Sequence, residues 1–305
     1  MPWKTTLDQQ VRNYLPAMTW LENEPLARHT SFRIGGPASR MALPTTTEEL
    51  VILDGFVRSC GARVVYLGNG TNVLFPDEGI DAVVVATTEM KRIRREGNAL
   101  IADAGVSLAR LATEAWHAGL TGLEFAHGIP GSLGGGVVMN AGAYDGALAD
   151  VLTEVTALFP DGVRTLRADE LELSYRHSIF SEEPDAVVLS ARVALREGDR
   201  DAIRARMDEL MAKRKASQPL EYPSAGSTFK RPAGHFAGRL IEDCGLKGAR
   251  VGDAEVSTKH AGFVINRGGA TCSDVLGLIE SIQKTVFDAT GVSLEPEVRI
   301  IRGEG

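Results

Sequence analysis

Residues Glu221 to Pro232 read EYPSAGSTFKRP, which sets Ser227 three and four positions ahead of Lys230 and Arg231. The stretch has no helical or strand period, and its one phenylalanine, Phe229, reads as exposed. A serine hydroxyl beside two cations suits proton donation to a centre where negative charge develops, with the cations holding an anion. An ordinary turn, its serines bonded to the local backbone, uses the same residues. A second candidate is Gly68-Asn69-Gly70-Thr71-Asn72, placed directly after the apolar run RVVYL. Successive N–H groups in such a turn can form a nest for an anion, and the Asn and Thr side chains add donors. The loop is neither a Walker sequence nor a G-x-G-x-x-G fingerprint. The third candidate is Gly128-Ile129-Pro130-Gly131-Ser132-Leu133-Gly134-Gly135-Gly136, which runs on through Met139-Asn140-Ala141-Gly142-Ala143-Tyr144. Ordering so much glycine is entropically unfavourable, and a large flat or diphosphate-bearing ligand would offset it. Its apolar residues set it apart from a flexible linker.

The elements around these loops alternate. TTEELVILDGFVRSCG predicts a helix, with Thr46 and Glu49 at capping-box spacing and Gly61 as its stop. RVVYL and AVVVA predict strands on either side of the first glycine loop. NALIADAG predicts another strand, and SLARLATEAWHAG a helix from N-cap Ser107 to Gly119. The long glycine-rich stretch from Gly122 reads as a loop. TEVTALF and VRTL flank Pro160-Asp161-Gly162 as a hairpin, and AVVLSARVAL closes the piece. A charged helix over DRDAIRARMDELMAKRKASQPL leads to a last piece. That piece holds a short helix at GRLIEDCG, a strand at AGFVIN, a helix from Ser273 to Ala289 and a final strand, SLEPEVRII. HTSFRIGGPASRMALP reads as a strand-like run broken at Gly35-Gly36-Pro37. The expected organisation is α+β: a leader with a short helix at 1–27, then pieces at 28–87, 88–215 and 216–305.

Composition excludes several classes. Hydrophobic residues make up 44% and charged residues 24% of 305, an ordinary globular balance. The net charge of -7, with no basic face or aromatic platform, argues against nucleic acid and anionic membrane as partners. The three cysteines and six histidines show no metal-ligand spacing, so no metal is expected. No apolar run reaches membrane-spanning length and the N-terminus shows no signal sequence, so a cytoplasmic location is expected.

HTSFRIGGPA, YLGNGTNVLF, GLEFAHGIPGSLGGGVVMNAGAY, YRHSIF, PSAGSTFKRP and LEPEVRII occur in this order. Together they resemble the UDP-N-acetylenolpyruvoylglucosamine reductase family from about His29 to Arg302. The likeness implies a two-part FAD-binding domain of vanillyl-alcohol-oxidase (PCMH) type, at 28–87 and 88–215, and a separate α+β substrate-binding domain at 216–305. It implies reduction of FAD by NADPH and hydride transfer to the enolpyruvyl group of UDP-N-acetylglucosamine enolpyruvate, in peptidoglycan precursor synthesis for the cell wall. Ser227 matches the family's proton donor, Arg176 the arginine at the substrate carboxylate, and Glu297 the active-site glutamate. A protonated Glu297 would donate to the enolate, and burial would favour that form; Glu295 is its neighbour. Tyr175, Lys230 and Arg231 are the expected substrate contacts, the two cations at the diphosphate, with Lys247 a further candidate. FAD contacts are expected from Gly68, Asn69, Gly70, Thr71 and Asn72, and from Gly128, Ile129, Pro130, Gly131, Ser132, Gly135, Asn140, Ala141 and Gly142. The pattern implies FAD held without a covalent bond, although His127 lies where relatives of the wider flavin group can form a link. Only short connections separate Lys230 from Phe263, which resembles the shorter type of the family, without a long substrate-domain insert. A monomer is expected.

Overall fold

Leu7 and Val11 share a face of α1 (Pro2–Tyr14) and are buried with Leu15 and Met18. The segment read as a leader therefore carries its expected helix and contributes to a core. Behind it, Arg40 donates from Nε and Nη2 to the two carboxylate oxygens of Asp8, each at 2.6 Å, and Trp20 Nε1 donates to Asp8 Oδ1 at 2.9 Å. The Arg40 bonds outweigh burial and hold the Asp8 carboxyl below its ordinary range. The protein is described here over residues 2–303 by a computed structural model. It divides into two compact units: residues up to Glu22 with Arg40–Asn69 and Ala82–Lys213, and Asn23–Ser39 with Gly70–Asp81 and residues from Arg214 onward.

A four-stranded sheet has the order Thr19–Pro25, Pro37–Leu43, Ile80–Ala86, Val64–Leu67, the last two parallel. In the first unit α2 (Thr47–Ser59) packs Leu50, Leu53 and Val57 into a core with Val83 and Val85. Thr46 caps it by accepting from the Glu49 N–H, but the Glu49 carboxylate reaches Thr45, one residue earlier than a full capping box requires. A five-stranded antiparallel sheet runs Gly162–Arg167, Leu152–Phe159, Val187–Ala194, Ala99–Asp103, Ile93–Glu96. Its first hairpin turns at Pro160-Asp161, between paired Phe159 and Gly162. α3 (Leu108–His117) is capped by Ser107 and ends at Gly119, whose φ of +68° is the left-handed turn a glycine takes readily.

The glycine-rich stretch is not one loop. Leu133–Val138 forms α4, capped by Ser132, because its glycines allow backbone to approach side chains that a larger residue would strike. A Cβ at Gly134 would lie 2.9 Å from Ala104 Cβ, and one at Gly136 would lie 3.0 Å from Leu148 Cδ1. α5 (Arg200–Ser217) adds Ile203, Met207 and Leu210 to this core.

In the second unit, α6 (Ala237–Asp243) and α7 (Cys272–Thr290) pack over a small sheet, Arg250–Val251, Ala254–Val256, Val264–Asn266. Thr271 and Asp274 form a complete capping box at α7, and the Asp77 carboxylate accepts from the N–H groups of Cys272 and Ser273 at 2.7 and 3.1 Å. Three sequence expectations are corrected here. SLEPEVRII forms a strand only at Arg299–Ile300, parallel to Val73–Leu74; Pro296 interrupts regular pairing before it. HTSFRIGGPASRMALP is a strand only from Pro37 to Leu43; its first residue, His29, ends a single tight turn, Leu26–His29, and the stretch from Thr30 to Gly36 is irregular. Phe229 is not exposed: it is 3% accessible, packed in the core of this unit.

Candidate active site

Leu67 ends a strand and Gly68 turns out of it against Ser132, the cap of α4. A Cβ on Gly68 would overlap Ser132 Oγ. The first unit thus brings together two stretches that are 64 residues apart in sequence. Among the described residues, none of the backbone N–H groups of Gly68, Asn69, Gly70, Thr71 and Asn72 has a protein acceptor, nor have those of Gly131 and Ser132. The first amides of α4 are engaged instead: Leu133 donates to Val106 O, Gly134 to Ala104 O, and Gly135 to Ser132 Oγ. In each of these turns, unlike the helix end, successive main-chain donors are left without a protein acceptor among the described residues. His127 Nδ1 is buried without a hydrogen-bond partner among the described residues.

Asn140 lies just past α4 with φ +39° and is buried. Its Nδ2 donates to Ser174 O at 3.0 Å and its Oδ1 accepts from Ala149 N at 3.0 Å. Ser174 and His177 pair across a tight turn whose tip is Tyr175-Arg176. Ser178, fully buried, closes the other side by donating to Val138 O at 2.8 Å. Arg176 takes φ +55°, a left-handed conformation that costs about 1 kcal/mol for a residue with a side chain. Asn140 and Ser178 hold that turn. The guanidinium lies 5.4 Å from the ring centre of Tyr175, which is largely exposed, and Nη1 donates to Gly142 O at 3.4 Å. Asn140 and Gly142, two residues expected at the cofactor, are engaged here with Arg176 and its turn.

Ser227 and Glu297 belong to the second unit, where a short main-chain ladder aligns them. Glu297 N donates to Thr228 O at 2.8 Å and Lys230 N donates to Glu295 O at 2.9 Å, on either side of the Phe229–Pro296 bridge. Thr228 is itself fixed, its N–H donating to Gly262 O at 2.8 Å and its Oγ1 accepting from Val264 N at 3.0 Å. Buried Phe229 anchors the next position. Ser227, half-buried, is presented beside this anchor, and its hydroxyl has no protein partner among the described residues. A serine serving only to tie its own turn would bond locally.

The cations of this unit have partners. Lys230 Nζ lies 2.5 Å from Glu295 Oε1, so the neighbour of Glu297 holds the lysine. The Arg231 guanidinium is 4.5 Å from the ring centre of Phe236, an exposed aromatic. Lys247 pairs with Glu242 at 2.7 Å, which lowers the Glu242 pKa. His260 Nδ1 accepts from Gly262 N at 3.1 Å, and burial pushes the His260 pKa down.

Sequence reasoning passed over Thr228, Ser31 and the contact role of Asn72. Ser31 Oγ donates to Ser224 O at 2.6 Å and its N–H to Gly70 O at 3.0 Å. Ser31 lies in the HTSF segment, one of the six that carry the family resemblance. Among the described residues no group of His, Cys, Asp and Glu is arranged to hold a metal, all three thiols are free, and no helix is long and apolar enough to cross a membrane.

Residues 218–301 match the family model for the UDP-N-acetylenolpyruvoylglucosamine reductase C-terminal domain, and residues 38–167 match that of an FAD binding domain. The chain is 50% identical over 280 residues to UDP-N-acetylenolpyruvoylglucosamine reductase of Clostridium novyi, covering 92% of this chain and 91% of that protein. It is 47% identical over 299 residues to the enzyme of that name from Pediococcus pentosaceus, covering 98% and 99%. The crystal structure of UDP-N-acetylenolpyruvylglucosamine reductase from Thermus caldophilus matches with a TM-score of 0.79 at 36% identity, over 93% of this chain and 99% of that one.

Proposed function

Because the chain belongs to the UDP-N-acetylenolpyruvoylglucosamine reductase family, we propose that it reduces UDP-N-acetylglucosamine enolpyruvate to UDP-N-acetylmuramate with NADPH as reductant. It is an oxidoreductase of α+β fold, with a vanillyl-alcohol-oxidase-type FAD-binding domain and a C-terminal reductase domain. FAD, when bound, supplies the two-electron chemistry between the nicotinamide and the enolpyruvyl double bond. The free N–H groups of Gly68 and Asn69, with those of Gly131 and Ser132 in the same unit, would hold its diphosphate without a covalent bond.

In this reading each side chain has one task. Arg176 binds the substrate carboxylate through its planar fork, and Tyr175 packs beside it. Lys230 and Arg231 hold the substrate diphosphate, for which Lys230 exchanges its Glu295 partner. Addition at the methylene carbon leaves negative charge on the carboxylate-bearing carbon and its oxygens. Glu297 stabilises that charge as a hydrogen-bond donor, and Ser227 transfers its hydroxyl proton to the carbon. A monomeric state and a cytoplasmic location, where nicotinamide and nucleotide sugar are both supplied, complete the proposal.

The observation that carries this reading is the direct main-chain bond from Glu297 to Thr228, which sets the proposed acid and the proposed charge stabiliser in one rigid register. The test is anaerobic. The protein is loaded with FAD, reduced with NADPH and freed of excess, and the flavin band is followed as UDP-N-acetylglucosamine enolpyruvate is added. Prompt return of the oxidised band is expected. Recovery with oxygen alone would point to an oxidase instead.

A further inference from the structure

Asn72 stands in the glycine loop that sequence assigns to the cofactor, yet its side-chain Nδ2 donates to the main-chain carbonyl of Glu297 at 3.1 Å, and its own carbonyl accepts from Arg299 N at 3.1 Å. The two segments then continue as a parallel pair, Val73 opposite Arg299 and Leu74 opposite Ile300. On its other side Glu297 donates its N–H to Thr228. The peptide groups around Glu297 are therefore held at both ends: the N–H by the serine loop, the carbonyl by the Asn72 carboxamide. A side-chain donor is needed here, because regular main-chain pairing begins only at Val73. Alanine would leave the Glu297 carbonyl without this donor, and aspartate would set a carboxylate against it. The same turn reaches the serine loop by a second path. Gly70 O accepts from Ser31 N, and Ser31 Oγ donates to Ser224 O, three residues before Ser227. A Cβ on Gly70 would strike His29 O, so these segments are in close contact.

We propose that Asn72 is a positioning residue for Glu297, fixing the carboxyl group relative to the Ser227 hydroxyl, with Ser31 tying the same turn to the serine loop. This inference rests on the functional reading of Glu297 given above. Small displacements of a proton-transfer or charge-stabilising group lower rates steeply. Loss of the Asn72 bond should therefore act on the step that uses Glu297 more than on flavin reduction.

The experiment compares FAD-loaded wild type with Asn72→Ala, Asn72→Asp, Glu297→Ala and the Asn72→Ala/Glu297→Ala pair. Flavin affinity, melting temperature, reduction by NADPH and the pH profile of reoxidation by substrate are measured for each. Asn72→Ala should slow reoxidation about tenfold to a hundredfold and distort its pH profile, with a smaller effect on reduction. The pair should be little slower than Glu297→Ala alone, because both changes act on one group. Asn72→Asp, equal in size but lacking the donor, should behave like Asn72→Ala and keeps the test open if alanine prevents folding. Multiplying losses in the pair, or weak flavin binding with normal reoxidation in the loaded fraction, would overturn the assignment. If Glu297→Ala reoxidises at the wild-type rate, the functional reading fails first and the positioning role fails with it.

Discussion

The N–H of Glu297 donates to the carbonyl oxygen of Thr228 at 2.8 Å, so a residue 69 positions further along the chain is in register with the one that follows Ser227. The bond is main chain to main chain, and its strength is independent of either side chain. It leaves the Ser227 hydroxyl uncommitted, and buried Phe229 pins the ladder from the core side.

Replacing Ser227 with alanine should separate the two half-reactions. Flavin reduction by NADPH should proceed at close to the wild-type rate, while reoxidation by substrate should fall about a hundredfold or more, the usual size of a lost general acid. Single-turnover absorbance traces check this. Normal reoxidation would remove Ser227 from the role.

Gly68→Ala should weaken flavin binding, since its Cβ would overlap Ser132 Oγ where the two glycine-containing turns meet and would force that hydroxyl to turn away. Adding Ser132→Gly should restore part of the affinity by clearing that atom. Fluorescence titration with FAD reads both variants; failure of Gly68→Ala to weaken binding would show that the turns do not form the cofactor cradle.

Asn140→Ala should destabilise the protein by about 1 kcal/mol, because the Ala149 N–H loses its acceptor and the Ser174 carbonyl keeps only the His177 N–H as donor. It should also raise the KM for the enolpyruvyl substrate, since the strained turn presenting Arg176 loses one of its two anchors. Thermal melts and steady-state kinetics measure the two effects. An unchanged KM in a folded variant would mean that Ser178 alone suffices.

Acid should weaken the second unit through His260. Burial lowers its folded pKa below the ordinary 6.5, and the Gly262 N–H needs an unprotonated Nδ1. The unfolded chain therefore binds the proton more readily. The stabilisation is full above pH 6.5 and is lost as pH falls through the lower folded value. Melting temperatures taken from pH 8 down to pH 5 should drop more for wild type than for His260→Asn, which keeps an acceptor and does not titrate. Parallel curves would rule the histidine out.

Much of the fold was legible from periodicity and punctuation. The caps Thr46 and Ser107, the stop at Gly119 and the turn at Pro160-Asp161 stand where short-range sterics and hydrogen bonding put them. The helix hidden in Leu133–Val138 was not legible, since local propensity disfavours glycine there and only contacts with Ala104 and Leu148 explain it. Phe229 was misread for the same reason: a polar neighbourhood in sequence says nothing about a core assembled from α6 and α7.

The sequence by itself determined the inventory: glycine turns with donors, a serine followed by two cations, and six segments in an order that resembles one family of reductases. Those are properties of residue type and short spacing. Tertiary structure decided which groups are already engaged. Glu295 holds Lys230, Asn72 holds the carbonyl of Glu297, Asn140 holds the turn of Arg176, and the hydroxyl of Ser227 is left without a protein partner among the described residues. These pairings join residues 34 to 225 positions apart, and hydrogen bonds over such separations follow from packing. No local pattern in the chain encodes them.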